Sequence, residues 1–179
     1  MNIAQINAMD EASFVAALGG IFEHSPWVAQ RAHGSRPFPH VDALHASMLD
    51  VVRRAGRDEQ LALIRAHPEL AGRAMVANAL SAESTNEQSG AGLDRCSPAE
   101  YATLVELNAR YNAKFGFPFI LAVKGHDRAG VIAAFGRRVE RDAVTEFAEA
   151  LDQIARITAL RLRALIADDE ARAGAAARD

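Results

Sequence analysis

Apolar residues recur at helical intervals along almost the whole chain, and this spacing constrains the fold more than any other feature. Leu44, Met48 and Val51 trace one helix, and intervals of three and four residues recur in later segments. Only residues 117–123 could be strand-like, and Pro118 within them argues against a central strand. The sequence therefore predicts an all-α, single-domain bundle of roughly seven or eight helices.

Capping residues predict where several of these helices begin. Asp10 is expected to cap a helix over residues 11–22, and Asp142 a last helix that reaches about residue 166. Ser97 is followed by proline and, three residues on, by glutamate, which is typical of a capping box.

Charge and composition exclude several classes of protein. The formal net charge of -3 argues against a general nucleic-acid binder, and no apolar run is long enough to span a membrane. The single cysteine, Cys96, rules out an intramolecular disulfide and a thiolate zinc cluster, and no secretory signal is evident. We expect a cytoplasmic protein with one domain over residues 1–167 and a frayed tail over residues 168–179.

His67 is the first candidate for chemistry. An amphipathic segment runs into His67-Pro68, and Pro68 should end the helix at or near His67. An imidazole at a helix C-terminus lies beside the negative end of the helix dipole, which favours its protonated form and suits a proton donor. The alternative is a histidine that only caps the last carbonyl groups.

Arg161 interrupts the apolar stripe of the last helix. That stripe comprises Val144, Phe147, Leu151, Ile154, Thr158 and Leu165. At ~100° per residue Arg161 faces inward with them, whereas Arg156 and Arg163 face outward. A charge directed at a core must be paired or must line a cavity, so Arg161 either forms an internal salt bridge or binds an anion.

Residues 84–88 combine hydroxyl, amide and carboxylate groups in a stretch without a strong apolar stripe. Ser84 and Glu87 have the spacing of a capping box, which would explain both residues structurally. A helix that begins there would also present backbone N–H groups to a ligand, and Gln88 would add an amide suited to urea-like groups.

Residues 115–125 form the most apolar run and are bounded by glycines. Because Pro118 breaks this run, part of its backbone is expected to be irregular and buried. A bound planar heterocycle could satisfy such backbone groups, and ordinary core packing is the alternative. Elsewhere the chain lacks zinc-protease, phosphate-loop, dinucleotide and nucleophile-elbow motifs, and His40 and His45 are spaced unfavourably for a metal site.

Four segments together resemble the OHCU decarboxylase family, whose members act on 2-oxo-4-hydroxy-4-carboxy-5-ureidoimidazoline in uric acid breakdown. They are residues 22–29 (Phe-Glu-His-Ser-Pro-Trp-Val-Ala), 67–72 (His-Pro-Glu-Leu-Ala-Gly), 84–93 and 115–125. The resemblance covers about residues 7–166. It implies an all-helical fold, no cofactor or metal, and release of CO2 to give (S)-allantoin.

The resemblance also implies roles for individual residues. It assigns catalysis to His67, Glu87 and Arg161. It assigns substrate binding to Pro68, Ser84, Thr85, Asn86, Glu87, Gln88, Phe119, Ile120, Leu121, Ala122 and Val123. The implied partner is a small ureidoimidazoline, with no nucleic acid and no membrane, and a homodimer is possible. The alternative is a non-catalytic helical module that binds a ligand or a protein.

Overall fold

The computed structural model describes residues 1–71 and 81–176, and the side chains up to residue 166. These residues form nine α-helices and no strand, which confirms the predicted all-α class. The helices are α1 (Ile3–Ala8), α2 (Glu11–Leu18), α3 (Trp27–Ala32), α4 (Val41–Arg54), α5 (Arg57–Arg65), α6 (Ala82–Gly90), α7 (Pro98–Phe115), α8 (Arg128–Arg138) and α9 (Ala143–Ala176).

The chain divides into two compact units. The first comprises residues 1–63 and 155–179, and the second comprises residues 64–154. Across the described part of the chain, none of the helices has both the length and the apolar character needed to cross a bilayer.

Three predicted helix starts are confirmed by side-chain caps. Asp10 Oδ1 accepts a hydrogen bond from the Ser13 N–H at 2.8 Å, and Asp142 Oδ1 accepts from the N–H of Thr145 at 2.9 Å. Ser97 and Glu100 form the expected capping box at the start of α7. Each cap satisfies backbone donors that the first turn of a helix leaves unpaired, and such a cap is worth about 1 kcal/mol.

Two predicted helix ends are wrong. The helix that begins after Asp10 ends at Leu18 and not at residue 22, because two consecutive glycines follow and glycine is a poor helix former. The last helix continues to Ala176 and not to about residue 166, because the intervening residues include many good helix formers and no proline. Fraying of the tail stays a prediction.

Two short helices were not expected. Helix α1 begins at a capping box formed by Asn2 and Gln5. The sequence predicts a loop that contains Pro26, Gly34, Pro37 and Pro39. Helix α3 nevertheless begins directly after Pro26, which has helical φ and ψ, and its Val28, Ala29 and Ala32 are buried. Helices this short present too few repeats for a periodicity signal.

The core of the second unit is centred on aromatic rings. Tyr111 on α7 lies edge-on to Phe119 and to Phe135, with ring centroids 5.4 and 5.6 Å apart. Phe119 and Phe135 are stacked at 3.9 Å. Full burial of each large apolar side chain contributes about 1.5–3 kcal/mol. The cluster therefore fixes the position of residues 117–123, which connect α7 to α8.

The faces of the two longest helices differ in part from the predicted stripes. On α7 the apolar spacing predicts one face made of Tyr101, Leu104, Val105, Asn108, Tyr111 and Phe115. Leu104, Asn108 and Tyr111 are buried as this predicts, but Tyr101 and Val105 are exposed. On α9, Val144 is 77% exposed although it begins the predicted stripe. Periodicity gives the direction of a helix face but not where along the helix its neighbours end.

Candidate active site

His67 lies just beyond the end of α5, as its sequence context predicts. The helix ends at Arg65, and the His67 N–H donates to the Ile64 carbonyl at 3.2 Å in a tightened last turn. The residue is buried, with 6% of its surface exposed. A buried imidazole that lies at a helix end and not within a helix can be oriented by the loop that follows it.

That loop, residues 68–71, is held against α6 by one glutamine. Gln88 Oε1 accepts from the Ala71 N–H at 2.9 Å, and Gln88 Nε2 donates to the Glu69 carbonyl at 3.3 Å. Two of the segments that the sequence singles out, the His-Pro segment and residues 84–88, are thereby brought together. Gly72, the last residue of the first segment, lies outside the described residues.

The predicted capping box of Ser84 and Glu87 is wrong. Helix α6 begins three residues earlier, because Ser81 is its N-cap and accepts from the Ser84 N–H at 3.2 Å. Both serines can cap a helix, and the earlier one does so here. Glu87 therefore lies in the second turn of α6, where it has no capping role.

The position of residues 84–88 within α6 separates their side chains. Ser84 and Gln88 are buried, and Glu87, which shares their face, is half-buried. Thr85 and Asn86 are exposed. Their part in substrate binding stays a prediction, whereas Ser84, Glu87 and Gln88 form one face of α6 turned toward the protein.

Residues 119–123 are irregular, and all of them except the half-buried Ala122 are buried. Side chains form hydrogen bonds to their backbone. The Arg138 guanidinium donates through Nη1 to the Ile120 carbonyl at 2.6 Å and lies 4.5 Å from the centre of the Phe119 ring. The Ala122 N–H donates to Gln153 Oε1 at 2.9 Å. The predicted irregular backbone is confirmed, and part of it is satisfied from within the protein.

A buried ionic cluster that the sequence analysis missed supports this segment. Glu146 is fully buried and accepts hydrogen bonds from Arg138 Nη2 at 2.9 Å and from the Tyr111 hydroxyl at 2.6 Å. Burial, together with the hydrogen bond to Glu146, raises the pKa of Tyr111 above its usual range, so this hydroxyl stays a donor. The signal available in the sequence was Glu146 on the same helical face as Phe147 and Ala150.

Arg161 lies in the first unit and faces inward, as predicted. It donates through Nη1 to Glu23 Oε2 at 2.8 Å, and both side chains are buried. Arg156 and Arg163 are exposed. The internal salt bridge that the sequence left as an alternative therefore exists. The sequence did not identify Glu23 as the partner, because the two residues are 138 positions apart.

The described residues contain no candidate metal-binding cluster. Within residues 1–71 and 81–166, no group of three or more His, Cys, Asp and Glu side chains could hold a metal ion. The histidines are dispersed instead: His40 accepts from the Ala43 N–H as the N-cap of α4, and His45 lies 3.0 Å from the Thr158 hydroxyl.

Comparison with known proteins agrees with the geometry. Residues 7–163 match the family model described as OHCU decarboxylase. The 2-oxo-4-hydroxy-4-carboxy-5-ureidoimidazoline decarboxylase of Haloferax volcanii is 46% identical over 162 residues, which cover 90% of this chain and 94% of that protein. The uric acid degradation bifunctional protein PucL of Bacillus subtilis is 40% identical over 91% of this chain, which spans 32% of PucL.

A solved structure extends the comparison to three dimensions. The crystal structure of (S)-allantoin synthase has a TM-score of 0.74 to this chain at 30% identity. The match covers 93% of this chain, which spans 54% of the length of that protein. The chain therefore belongs to the OHCU decarboxylase family.

Proposed function

We propose that the protein decarboxylates 2-oxo-4-hydroxy-4-carboxy-5-ureidoimidazoline to (S)-allantoin and CO2 in uric acid degradation. The observation that carries the proposal is the buried His67, which precedes a loop bonded to the buried face of α6. The names of the relatives support the choice of substrate, because they specify this decarboxylation and uric acid degradation.

The substrate supplies its own electron sink. One ring carbon carries a carboxylate and a hydroxyl, and its neighbour is a C=N carbon that bears the ureido group. When the bond to the carboxylate breaks, CO2 leaves and the electron pair moves onto the C=N nitrogen. That nitrogen takes up a proton from the solvent, which produces an enol-like intermediate. A proton is then added to the ureido-bearing carbon, and loss of the hydroxyl proton restores a carbonyl. One proton replaces one CO2, and no oxidant or reductant is consumed.

The protein's part is to move protons and to orient the substrate. We assign proton transfer at the hydroxyl and at the ureido-bearing carbon to His67. The Glu87 carboxylate accepts hydrogen bonds from the ureido N–H groups. Arg161 orients a carboxylate or a developing oxyanion through the forked N–H donors of its guanidinium. Pro68, Ser84, Gln88 and the backbone of residues 119–123 complete the binding site in this proposal.

The proposal includes catalysis without a metal or an organic cofactor. Because the substrate's C=N takes the electron pair, decarboxylation needs no added electron sink. Extensive dialysis against a strong chelator should therefore leave kcat unchanged, with no stoichiometric metal by elemental analysis. A rate that falls on chelation and returns with one particular divalent ion would contradict this part of the proposal.

Glu87→Gln tests the binding role of Glu87. The substitution removes the charge that would hold ureido N–H groups. Glutamine keeps the size of the side chain and an acceptor oxygen, so the variant should melt close to the wild type. We expect kcat/KM to fall by ~10- to 100-fold, since a charge-assisted hydrogen bond contributes about 1.5–3 kcal/mol. Glu83→Gln, an exposed change on the same helix, is the matched control. Equal kinetics for the two variants would refute the role.

The activity itself is tested with substrate generated immediately before the assay, because the compound decays spontaneously. The protein should accelerate loss of the substrate and release of CO2 in equal amounts over a protein-free control. A non-catalytic helical ligand-binding module predicts a different result: allantoin raises the melting temperature, but the substrate decays at the spontaneous rate.

We also propose a cytoplasmic setting and a homodimer, with no nucleic-acid or membrane partner. The single cysteine supports a reducing compartment. The net charge of -3 argues against binding to nucleic acid. Analytical ultracentrifugation at micromolar concentration tests the dimer, and a monomer at every concentration would contradict it.

A further inference from the structure

The buried face of α7 contains a polar residue, Asn108, between Leu104 and Tyr111. It is 5% exposed, and its Nδ2 donates to the Leu70 carbonyl at 2.9 Å. The acceptor is a carbonyl oxygen, which fixes the orientation of the amide: the NH2 group must face Leu70. This hydrogen bond therefore links helix α7 to the loop that follows His67.

The same loop contains a strained residue. Ala71 has φ of +48°, in the left-handed region that a side chain disfavours. Gln88 bonds the Ala71 N–H and the Glu69 carbonyl, while Asn108 bonds the carbonyl of Leu70 between them. Three consecutive residues are thus held by two amide side chains from different helices, and such multiple restraint allows a strained backbone to persist.

Stability alone does not explain an asparagine at position 108. Within the part of the chain that the structure describes, Asn108 Oδ1 is buried and accepts no hydrogen bond. A buried acceptor without a donor is unfavourable, and most buried polar groups in folded proteins are paired. The hydrogen bond that Asn108 donates to the Leu70 carbonyl offsets the cost of its unpaired Oδ1.

We propose that Asn108 is a positioning residue for His67, acting through the Leu70 carbonyl. The inference rests on the proposed function, because it concerns the proton transfer assigned to His67. Leu70 is three residues from His67, and the intervening Pro68 has little backbone freedom, so a shift of the Leu70 carbonyl is transmitted to the imidazole. Proton transfer is sensitive to displacements of about 1 Å between donor and acceptor. A shift of the imidazole should therefore lower kcat.

Asn108→Leu removes the donor at nearly constant volume. We expect kcat to fall by ~10- to 100-fold while KM changes by less than about threefold, because the imidazole is misplaced but the substrate contacts remain. The melting temperature should fall by only a few degrees, because removal of the unpaired Oδ1 partly offsets the loss of the donor to the Leu70 carbonyl. Kinetics on the folded variant, checked by circular dichroism, give all three values.

Asn108→Asp adds a readout that a purely structural role would not affect. The ionised carboxylate can only accept, so it repels the Leu70 carbonyl; once protonated, the carboxyl group can donate to it. Burial raises the pKa of such a group. The ratio of variant kcat to wild-type kcat should therefore rise as the pH is lowered, whereas the ratio for Asn108→Leu should stay flat.

Asn7→Leu is the matched control, because Asn7 Nδ2 donates to a loop carbonyl, that of Phe38, in the first unit. It should keep wild-type kcat per folded molecule. Wild-type kcat in Asn108→Leu, or a raised KM with unchanged kcat, would overturn the positioning role. If that variant does not fold, a pH-independent ratio for Asn108→Asp overturns it instead. An inactive wild-type protein would refute the proposed function and is distinguishable from either outcome.

Discussion

His67→Asn is expected to abolish most of the catalysed formation of (S)-allantoin. General acid–base catalysis contributes ~10²- to 10⁴-fold, so kcat/KM should fall by a factor in this range. The fold should survive, because the hydrogen bond that ends α5 uses the backbone N–H of His67, which asparagine keeps. A loss of about 1 kcal/mol would lower the melting temperature by roughly 2–4 °C in a chain of this size.

The control for this prediction is His126→Asn, since His126 is exposed in a loop of the same compact unit. It should keep the wild-type rate. Initial rates and thermal melts on both variants separate chemistry from stability. A folded His67→Asn protein with full activity would remove His67 from the mechanism.

Arg161→Lys should produce the second large loss of activity. Lysine keeps the positive charge beside the buried carboxylate of Glu23 but lacks the planar fork that binds a carboxylate through two hydrogen bonds. If Arg161 orients the substrate, kcat/KM should fall by ~10²-fold while the melting temperature falls only slightly. Arg156→Lys, on the exposed face of the same helix, is the matched control and should retain the wild-type rate.

Arg161→Met separates the salt bridge from the catalytic role. Because both side chains of the pair are at least 95% buried, methionine removes the guanidinium from beside the buried carboxylate of Glu23, which should cost about 3–5 kcal/mol. The double variant Glu23→Gln with Arg161→Met removes that charge and should recover much of the lost stability. It should remain inactive. A stable and fully active double variant would show that Arg161 serves only the fold.

Helix starts could be predicted from the sequence because their signals are local. Each of the three caps, Asp10, Ser97 and Asp142, bonds a backbone N–H three residues along the chain. Such a cap can be located without knowledge of the tertiary structure. For α6 the spacing of Ser84 and Glu87 indicates a cap at Ser84, but Ser81, three residues earlier, is an equally good capping residue. Only the folded chain shows that Ser81 is the cap.

The partners of the inward-facing side chains could not be predicted, because they are distant in sequence. Periodicity correctly identified Arg161 as buried, but its partner Glu23 lies in a segment with no stripe of its own. Asn108 was placed on the apolar face of its helix, yet nothing local shows that it bonds Leu70. A pattern gives the direction of a side chain, and tertiary packing decides what it meets.

Two irregular segments of the second unit are held in the same way. In each, the backbone lacks regular partners, and side chains from helices supply them: Gln88 and Asn108 bond residues 69–71, and Arg138 and Gln153 bond residues 120–122. Such backbone must be satisfied when it is buried. Loops held by helices can keep a fixed geometry, which a site that distinguishes two faces of a substrate requires.

The configuration of the allantoin formed distinguishes catalysed from spontaneous decarboxylation. Substrate is generated enzymatically, the protein is added at once, and the circular dichroism of the allantoin formed is recorded beside a protein-free reaction. We expect (S)-allantoin alone, formed faster than by spontaneous decay, because protonation occurs on one face within the protein. Racemic allantoin formed at the spontaneous rate would contradict it.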